Sequence, residues 1–267
     1  MSSHYFCTKN AVLHYLKIGT GDRIMICFHG FGQEASVFSS LASTLTKNYT
    51  LYAFDLFYHG NSKWHNCEKA ISPTELSQMF EEWIEEEQIE KLSLCGYSLG
   101  GKIVLSLLEH LSTPIERVLL IAPDGIDTNF WYDLATYPYW ARRLFKYTVN
   151  KPEIFFRIAN GLSKIKMIDR GVIKFAKYQM NTRKKREKVY CSWLSYRKIR
   201  ADIVRVSKKI NINGVKLTIY LGAFDRIITD KRVKPLTNRV NFYEKFILDK
   251  GHNTLIKDVS EVIDESF

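Results

Sequence analysis

Between residues 24 and 123 the chain alternates short, continuously apolar runs with longer stretches whose apolar residues recur every three or four positions. The runs "RIMICF", "TLYAFDL", "KLSLCGYS" and "RVLLIAP" show no polar alternation, so each is expected to be a strand covered on both faces. The stretches between them read as helices. Val37, Phe38, Leu41 and Leu45 share one helical face, as do Leu76, Met79, Phe80, Trp83 and Ile84, and again Ile103, Val104, Leu107, Leu108 and Leu111. Ser72, Pro73 and Glu75 form a complete helix start: a capping hydroxyl, a ring that presets φ, and a carboxylate three residues after the cap. Such alternation predicts an α/β fold with a parallel sheet covered by helices on both faces, and right-handed crossovers make it doubly wound. Ahead of it, "HYFCT" and "AVLHYLKIG" predict a hairpin, with "GTGD" as the turn that follows.

After Gly125 the pattern changes. Residues 126–210 carry helical patches rich in aromatic and basic residues and no convincing strand, and the α/β pattern resumes with "KLTIYLG", "NFYEKFIL" and a helix after His252. The reading is a core domain made of 1–125 and 211–267, with 126–210 inserted as a helical lid. Charge follows the same division. The formal net charge is +11, yet 126–210 holds 21 Lys and Arg against 6 Asp and Glu, and the remainder 18 against 22. Such a lid could draw an anionic substrate, or make weak peripheral contact with an acidic lipid surface. Its cluster "TRKKREK", 182–188, reads as a solvated helix start. Its aromatic residues, among them Phe130, Trp131, Tyr139, Trp140 and Phe155, either pack lid helices together or line an apolar pocket.

Composition excludes several classes. At 46% apolar and 25% charged residues it is that of an ordinary globular protein. The first residues lack a basic head followed by an apolar core, so no signal peptide is expected, and no run approaches the roughly 18 apolar residues of a transmembrane helix. Five scattered cysteines form no CxxC pair, which argues against a metal site and for a reducing, cytoplasmic setting. Nucleic-acid binding is not expected, because the basic excess sits on an insertion without a recognition module.

Candidate chemistry centres on "LSLCGYSLGGKIVLSLL", 92–108, where Gly96, Ser98, Gly100 and Gly101 fall at the joint between a buried strand and a buried helix. A tight strand-to-helix turn presents a serine hydroxyl above the sheet, at a helix N-terminus that favours developing negative charge. A hydroxyl becomes a nucleophile when a base takes its proton, and the base works better when a third group orients it. His252 in "LDKGHNTL" is the candidate base and Asp225 in "YLGAFDRII" the preferred acid; both follow predicted strands. Asp124 in "IAPDG" is the alternative acid. "FHGFGQ", 28–33, ends an earlier strand, and the backbone N–H groups of Phe31 and Leu99 are the candidate oxyanion donors. His29, Gly30, Tyr97, Trp131 and Trp140 are candidate pocket residues.

Taken together, "HGFG" at 29–32, "DLFYHGNS" at 55–62, "GYSLGG" at 96–101, "GAFD" at 222–225 and "GH" at 251–252 resemble the α/β-hydrolase fold superfamily. One departure is Tyr58, where the second motif commonly carries glycine. The resemblance implies an eight-stranded, mostly parallel sheet with a helical lid after the sixth strand. It also implies a Ser98–His252–Asp225 triad with no metal and no organic cofactor. The expected function is a serine hydrolase that cleaves a small carboxylic ester or related acyl compound through an acyl-enzyme. The alternatives are a lyase or C–C bond hydrolase of the same fold, similar to those of menaquinone biosynthesis, or a ligand-binding member without catalysis. Lys102 stands where the menaquinone lyases commonly carry arginine.

Overall fold

The computed structural model describes residues 1–127, 130–153, 156–157, 161 and 180–263, with the Trp131 side chain outside the described part. The chain divides into two compact units: residues 1–65, 72–127 and 199–267, and residues 66–71 with 128–198.

The first unit is built on one sheet. Strands β1 (Ser2–Cys7), β2 (Ala11–Ile18), β3 (Arg23–Phe28), β4 (Tyr49–Phe54), β6 (Leu92–Tyr97), β7 (Ile115–Ile121), β8 (Lys216–Gly222) and β9 (Tyr243–Leu248) line up in the order β1-β2-β4-β3-β6-β7-β8-β9. The hairpin strand β2 is antiparallel to both β1 and β4, and every later pairing is parallel. Eight strands therefore form the main ladder, the number that the family resemblance implies. A ninth, the two-residue β5 (Lys63–Trp64), pairs off β2 and is too short to leave a periodicity.

The helices of this unit start where the sequence places them. In α2 (Pro73–Glu86) the Ser72 hydroxyl accepts from the Glu75 amide at 3.0 Å. Its apolar face sets Phe80 and Trp83 edge-on against Phe28 and Phe54, with centroids 5.0–5.2 Å apart. Burying aromatic side chains of this size contributes about 2–3 kcal/mol each. One segment differs from expectation: 35–45 is not a single α-helix but a 3₁₀ turn, Ala35–Phe38, followed by α1 (Ser39–Leu45). The Ala35 amide donates to the buried Asp55 carboxylate at 2.7 Å, which fixes the entry to that turn.

The tightest approach in the core lies under α3 (Leu99–His110). A Cβ on Gly100 would stand 1.9 Å from the Phe28 carbonyl oxygen, so no larger residue fits without moving β3 or α3. Gly100→Ala is expected to cost about 3 kcal/mol or more. Gly214, which closes α7 (Ile203–Asn213) at φ +62°, has open space around it. Its change to Ala adds only left-handed strain of about 1 kcal/mol. Urea unfolding of the two variants side by side checks the difference.

Residues 199–210, grouped with the lid by charge, belong to the first unit, which corrects that boundary. α7 buries Val206 and Ile210 and packs on α3. The Asp202 amide donates to Glu109 at 2.8 Å, and Lys209 Nζ donates to the Leu111 carbonyl at 2.5 Å. Arg205 and Lys208 of this helix are exposed, and composition cannot distinguish such charges from those of the second unit. The unit is completed by α8 (Asp230–Thr237) and α9 (Leu255–Val262).

The second unit contains α4 (Phe130–Thr136), α5 (Tyr139–Asn150) and α6 (Arg183–Ser195). Phe145 packs on Tyr190 and Trp193, with centroids 5.3 and 5.6 Å away, and Tyr132 lies 5.2 Å from Trp193. These aromatic residues hold α4, α5 and α6 together. Residues 66–71 join this unit: the Ile71 amide donates to the Ser195 carbonyl at 2.9 Å, and Lys146 pairs with Glu68 at 2.5 Å. The 182–188 cluster opens α6, with the Thr182 hydroxyl accepting from the Lys185 amide. Within it Arg186 is buried and donates to the carbonyls of Val149 and Met180, so one of its charges is internal scaffolding. Phe155 lies outside the described residues.

Candidate active site

The sheet order reverses at β3, whose neighbours are β4 on one side and β6 on the other. In open parallel sheets the crevice beyond the carboxyl ends of such strands is where ligands gather. Residues His29 and Ser98 follow β3 and β6 at this reversal, and Asp225 and His252 follow β8 and β9.

Ser98 occupies the N-cap position of α3 with φ +49° and ψ −116°, a conformation that L-residues seldom take. Its backbone is over-determined. The Ser98 amide donates to the Ile121 carbonyl at 2.9 Å, and the Ser98 carbonyl accepts from Gly101 at 2.8 Å and Asp124 at 2.9 Å. Gly30 lies against it, so that a Cβ there would be 3.2 Å from the Ser98 Cβ. Leu99 is the first residue of α3, among the amides that lack an intrahelical acceptor.

The three side chains meet. Ser98 Oγ is 2.9 Å from His252 Nε2, and His252 Nδ1 is 2.6 Å from Asp225 Oδ2. The other carboxylate oxygen, Oδ1, accepts the amides of Ile227 at 2.8 Å and Ile228 at 2.9 Å. An acceptor-only carboxylate places the imidazole proton on Nδ1, which leaves the Nε2 lone pair facing the serine hydroxyl. Asp124, the alternative acid, touches the site through its backbone amide, and the carboxylate bonded to His252 is that of Asp225.

The candidate pocket residues take different positions. Tyr97 is buried, its ring stacked 5.7 Å from the His252 ring and its hydroxyl donating to the His252 carbonyl oxygen. Burial, and then the nearby Asp225 and Asp258 charges, push its phenol well above the ordinary tyrosine range, so it remains a donor. Tyr97 thus positions the histidine backbone, a role that residue type and spacing do not signal. His29 is fully buried; its Nε2 accepts from the Leu56 amide at 3.0 Å, which leaves Nδ1–H to donate to the Gly30 carbonyl at 2.7 Å. Phe31 stands edge-on to His59 at 5.1 Å. Trp140 lies on the exposed side of α5, and the Trp131 side chain is outside the described residues.

A second constellation repeats these distances. Ser3 Oγ is 2.9 Å from His14 Nε2, His14 Nδ1 is 2.6 Å from Asp55 Oδ2, and Asp55 accepts the Ala35 and Asn61 amides. The surroundings separate the two. Ser3 sits on the extended edge strand β1, without a helix N-terminus or a constrained turn behind it, and the Asp55 network ties β2 to the loops after β3 and β4. Those loops include Tyr58, whose φ of +66° shows why glycine is common there; its hydroxyl donates to the Trp64 carbonyl at 3.1 Å.

Comparison with known proteins defines the class. A family model described as the alpha/beta hydrolase fold matches residues 23–157, just over half of the chain. The chain belongs to the alpha/beta hydrolase fold family and is an enzyme of hydrolase type. A Mycoplasma pneumoniae protein with the provisional name esterase/lipase 3 is 24% identical over 226 residues, covering 84% of this chain and 74% of its own length. An abhydrolase domain-containing protein of Caenorhabditis elegans is 28% identical over 105 residues, 39% of this chain and 24% of that protein. Among solved structures, a thermophilic esterase from Thermogutta terrifontis superposes with a TM-score of 0.70 at 14% identity, covering 98% of this chain and 95% of the esterase. The naproxen esterase of Bacillus subtilis gives 0.63 at 17% identity, over 98% of this chain and 88% of its own. Among the described residues no helix is long and apolar enough to cross a membrane.

Proposed function

We propose that the protein hydrolyses a small carboxylic ester through an acyl-enzyme on Ser98. The observation that carries the reading is the continuous hydrogen-bonded line from Ser98 Oγ through the His252 ring to Asp225. Ser98 Oγ attacks the carbonyl carbon while His252 Nε2 takes the hydroxyl proton, and the tetrahedral oxyanion is held by the Leu99 and Phe31 amides. The C–O bond to the alcohol breaks as His252 returns that proton to the leaving oxygen. Water, deprotonated by the same nitrogen, then attacks the acyl-serine, releasing the acid and restoring Ser98. Asp225 holds the imidazole tautomer and balances the imidazolium that forms. The lid's excess of cations supports an anionic acyl compound as the preferred substrate.

A panel of aryl esters that varies acyl length and charge tests this. The expected result is steady-state turnover, with kcat/KM for an anionic ester falling with added salt more steeply than for a neutral one. Equal salt responses would remove the anionic preference. Inertness to every ester, with cleavage of a diketone or elimination from a hydroxyl substrate, would replace ester hydrolysis by C–C or lyase chemistry on the same residues.

A further inference from the structure

Helix α5 carries two apolar faces where an ordinary surface helix carries one. The first, Ala141, Phe145, Thr148 and Val149, is buried, with Phe145 on Tyr190 and Trp193 of α6. The second is in solvent: Tyr139 is 67% exposed, Trp140 62%, Tyr147 45% and Leu144 43%. Residues 140, 144 and 147 fall at i, i+4 and i+7, so they form one continuous stripe. At the start of α4, Phe130 adds another ring at 67% exposure.

The stripe is flanked by cations. From 139 to 150 the sequence holds Arg142, Arg143 and Lys146 with no acidic residue, and Lys151 follows. The Arg142 and Arg143 guanidinium groups lie 5.7 and 5.9 Å from the Tyr139 ring, and Lys151 Nζ is 5.4 Å from the Tyr147 ring. Glu68, bonded to Lys146, and Glu153, close enough to act on Lys151, are neighbouring carboxylates.

We infer that this face of α5 docks on an anionic lipid surface. Trp and Tyr pair an apolar body with a polar tip, which suits them to the headgroup level of a bilayer, while Arg143 and Lys151 meet lipid phosphates. Arg142 is committed to the Thr136 and Tyr137 carbonyls and Lys146 to Glu68. A second copy of the chain fits poorly, since a two-fold contact would bring like charges together. The inference concerns where the enzyme sits and is independent of the chemistry at Ser98.

Flotation of the full chain with phosphatidylcholine vesicles, with and without phosphatidylglycerol, tests it. The protein is expected to float only with vesicles containing phosphatidylglycerol and to be released by salt. Arg143→Gln is expected to weaken partitioning about fivefold, the share of one surface cation. Trp140→Ser combined with Leu144→Ser is expected to weaken it at least about tenfold. Thermal melts that overlay the parent's would show that both variants are folded. Absence of binding to either vesicle, equal binding to both, or undiminished binding by the double variant would overturn the inference. So would a dimer in size-exclusion chromatography that the same substitutions dissolve while vesicles are ignored. Because flotation does not depend on turnover, a negative result leaves the ester reading standing.

Discussion

Ser98→Ala is expected to leave a folded protein whose kcat for the best ester has fallen by about 10⁴- to 10⁶-fold. The size of the loss follows from the proposed role of the hydroxyl: without it no acyl-enzyme forms, and His252 has no nucleophile to activate. Folding should survive because the turn is held by backbone bonds to Ile121, Gly101 and Asp124, all of which alanine keeps. Residual turnover would come from the proposed oxyanion donors and from substrate binding alone, roughly 10³-fold above water. The check is twofold: turnover of the ester and covalent labelling by a fluorophosphonate, each compared between parent and variant. Labelling that persists in Ser98→Ala would move the nucleophile elsewhere, and peptide mapping would say whether Ser3 had taken the probe.

Asp225→Asn is expected to cost about 10⁴-fold in kcat with a much smaller change in KM. The asparagine amide can donate to Nδ1, which drives the imidazole proton to Nε2 and turns an N–H toward the serine hydroxyl. The site would keep its shape with the proton on the wrong nitrogen. Asp124→Asn is expected to change kcat by less than about tenfold, because that residue reaches the site through its backbone amide. Measuring both variants on one substrate decides between the two candidate acids, and a larger loss at Asp124 would reverse the assignment.

The parts of this molecule that were legible in the sequence are those governed by short-range rules. Two-sided burial wrote "RIMICF" and "KLSLCGYS" as continuous apolar runs, and the Ser72 start of α2 is a local capping pattern. The place of Ser98 between strand and helix was legible because a glycine-flanked turn is itself local. The positions of His252 and Asp225 beyond strand ends were legible from the apolar runs and their order along the chain, but that rule alone does not separate Asp225 from Asp124. What could not be read depends on contacts between distant segments. Nothing in the composition of 199–210 reports that α7 packs on α3, and nothing around residue 35 reports that Asp55 will hold the Ala35 amide. The bond from Tyr97 to the His252 carbonyl likewise joins residues 155 positions apart, and only the fold brings them together.

The +49° φ at Ser98 carries an implication for how such a protein drifts. A strained non-glycine conformation costs about 1–3 kcal/mol, whereas glycine would adopt it freely and lose only about 0.5–1 kcal/mol to the flexibility of its unfolded chain. The residue proposed as the nucleophile is therefore a poor choice for the folded state by a modest margin. A lineage released from the need for turnover would gain robustness by erasing its own nucleophile, and a duplicated copy has a downhill route to an inert binding protein.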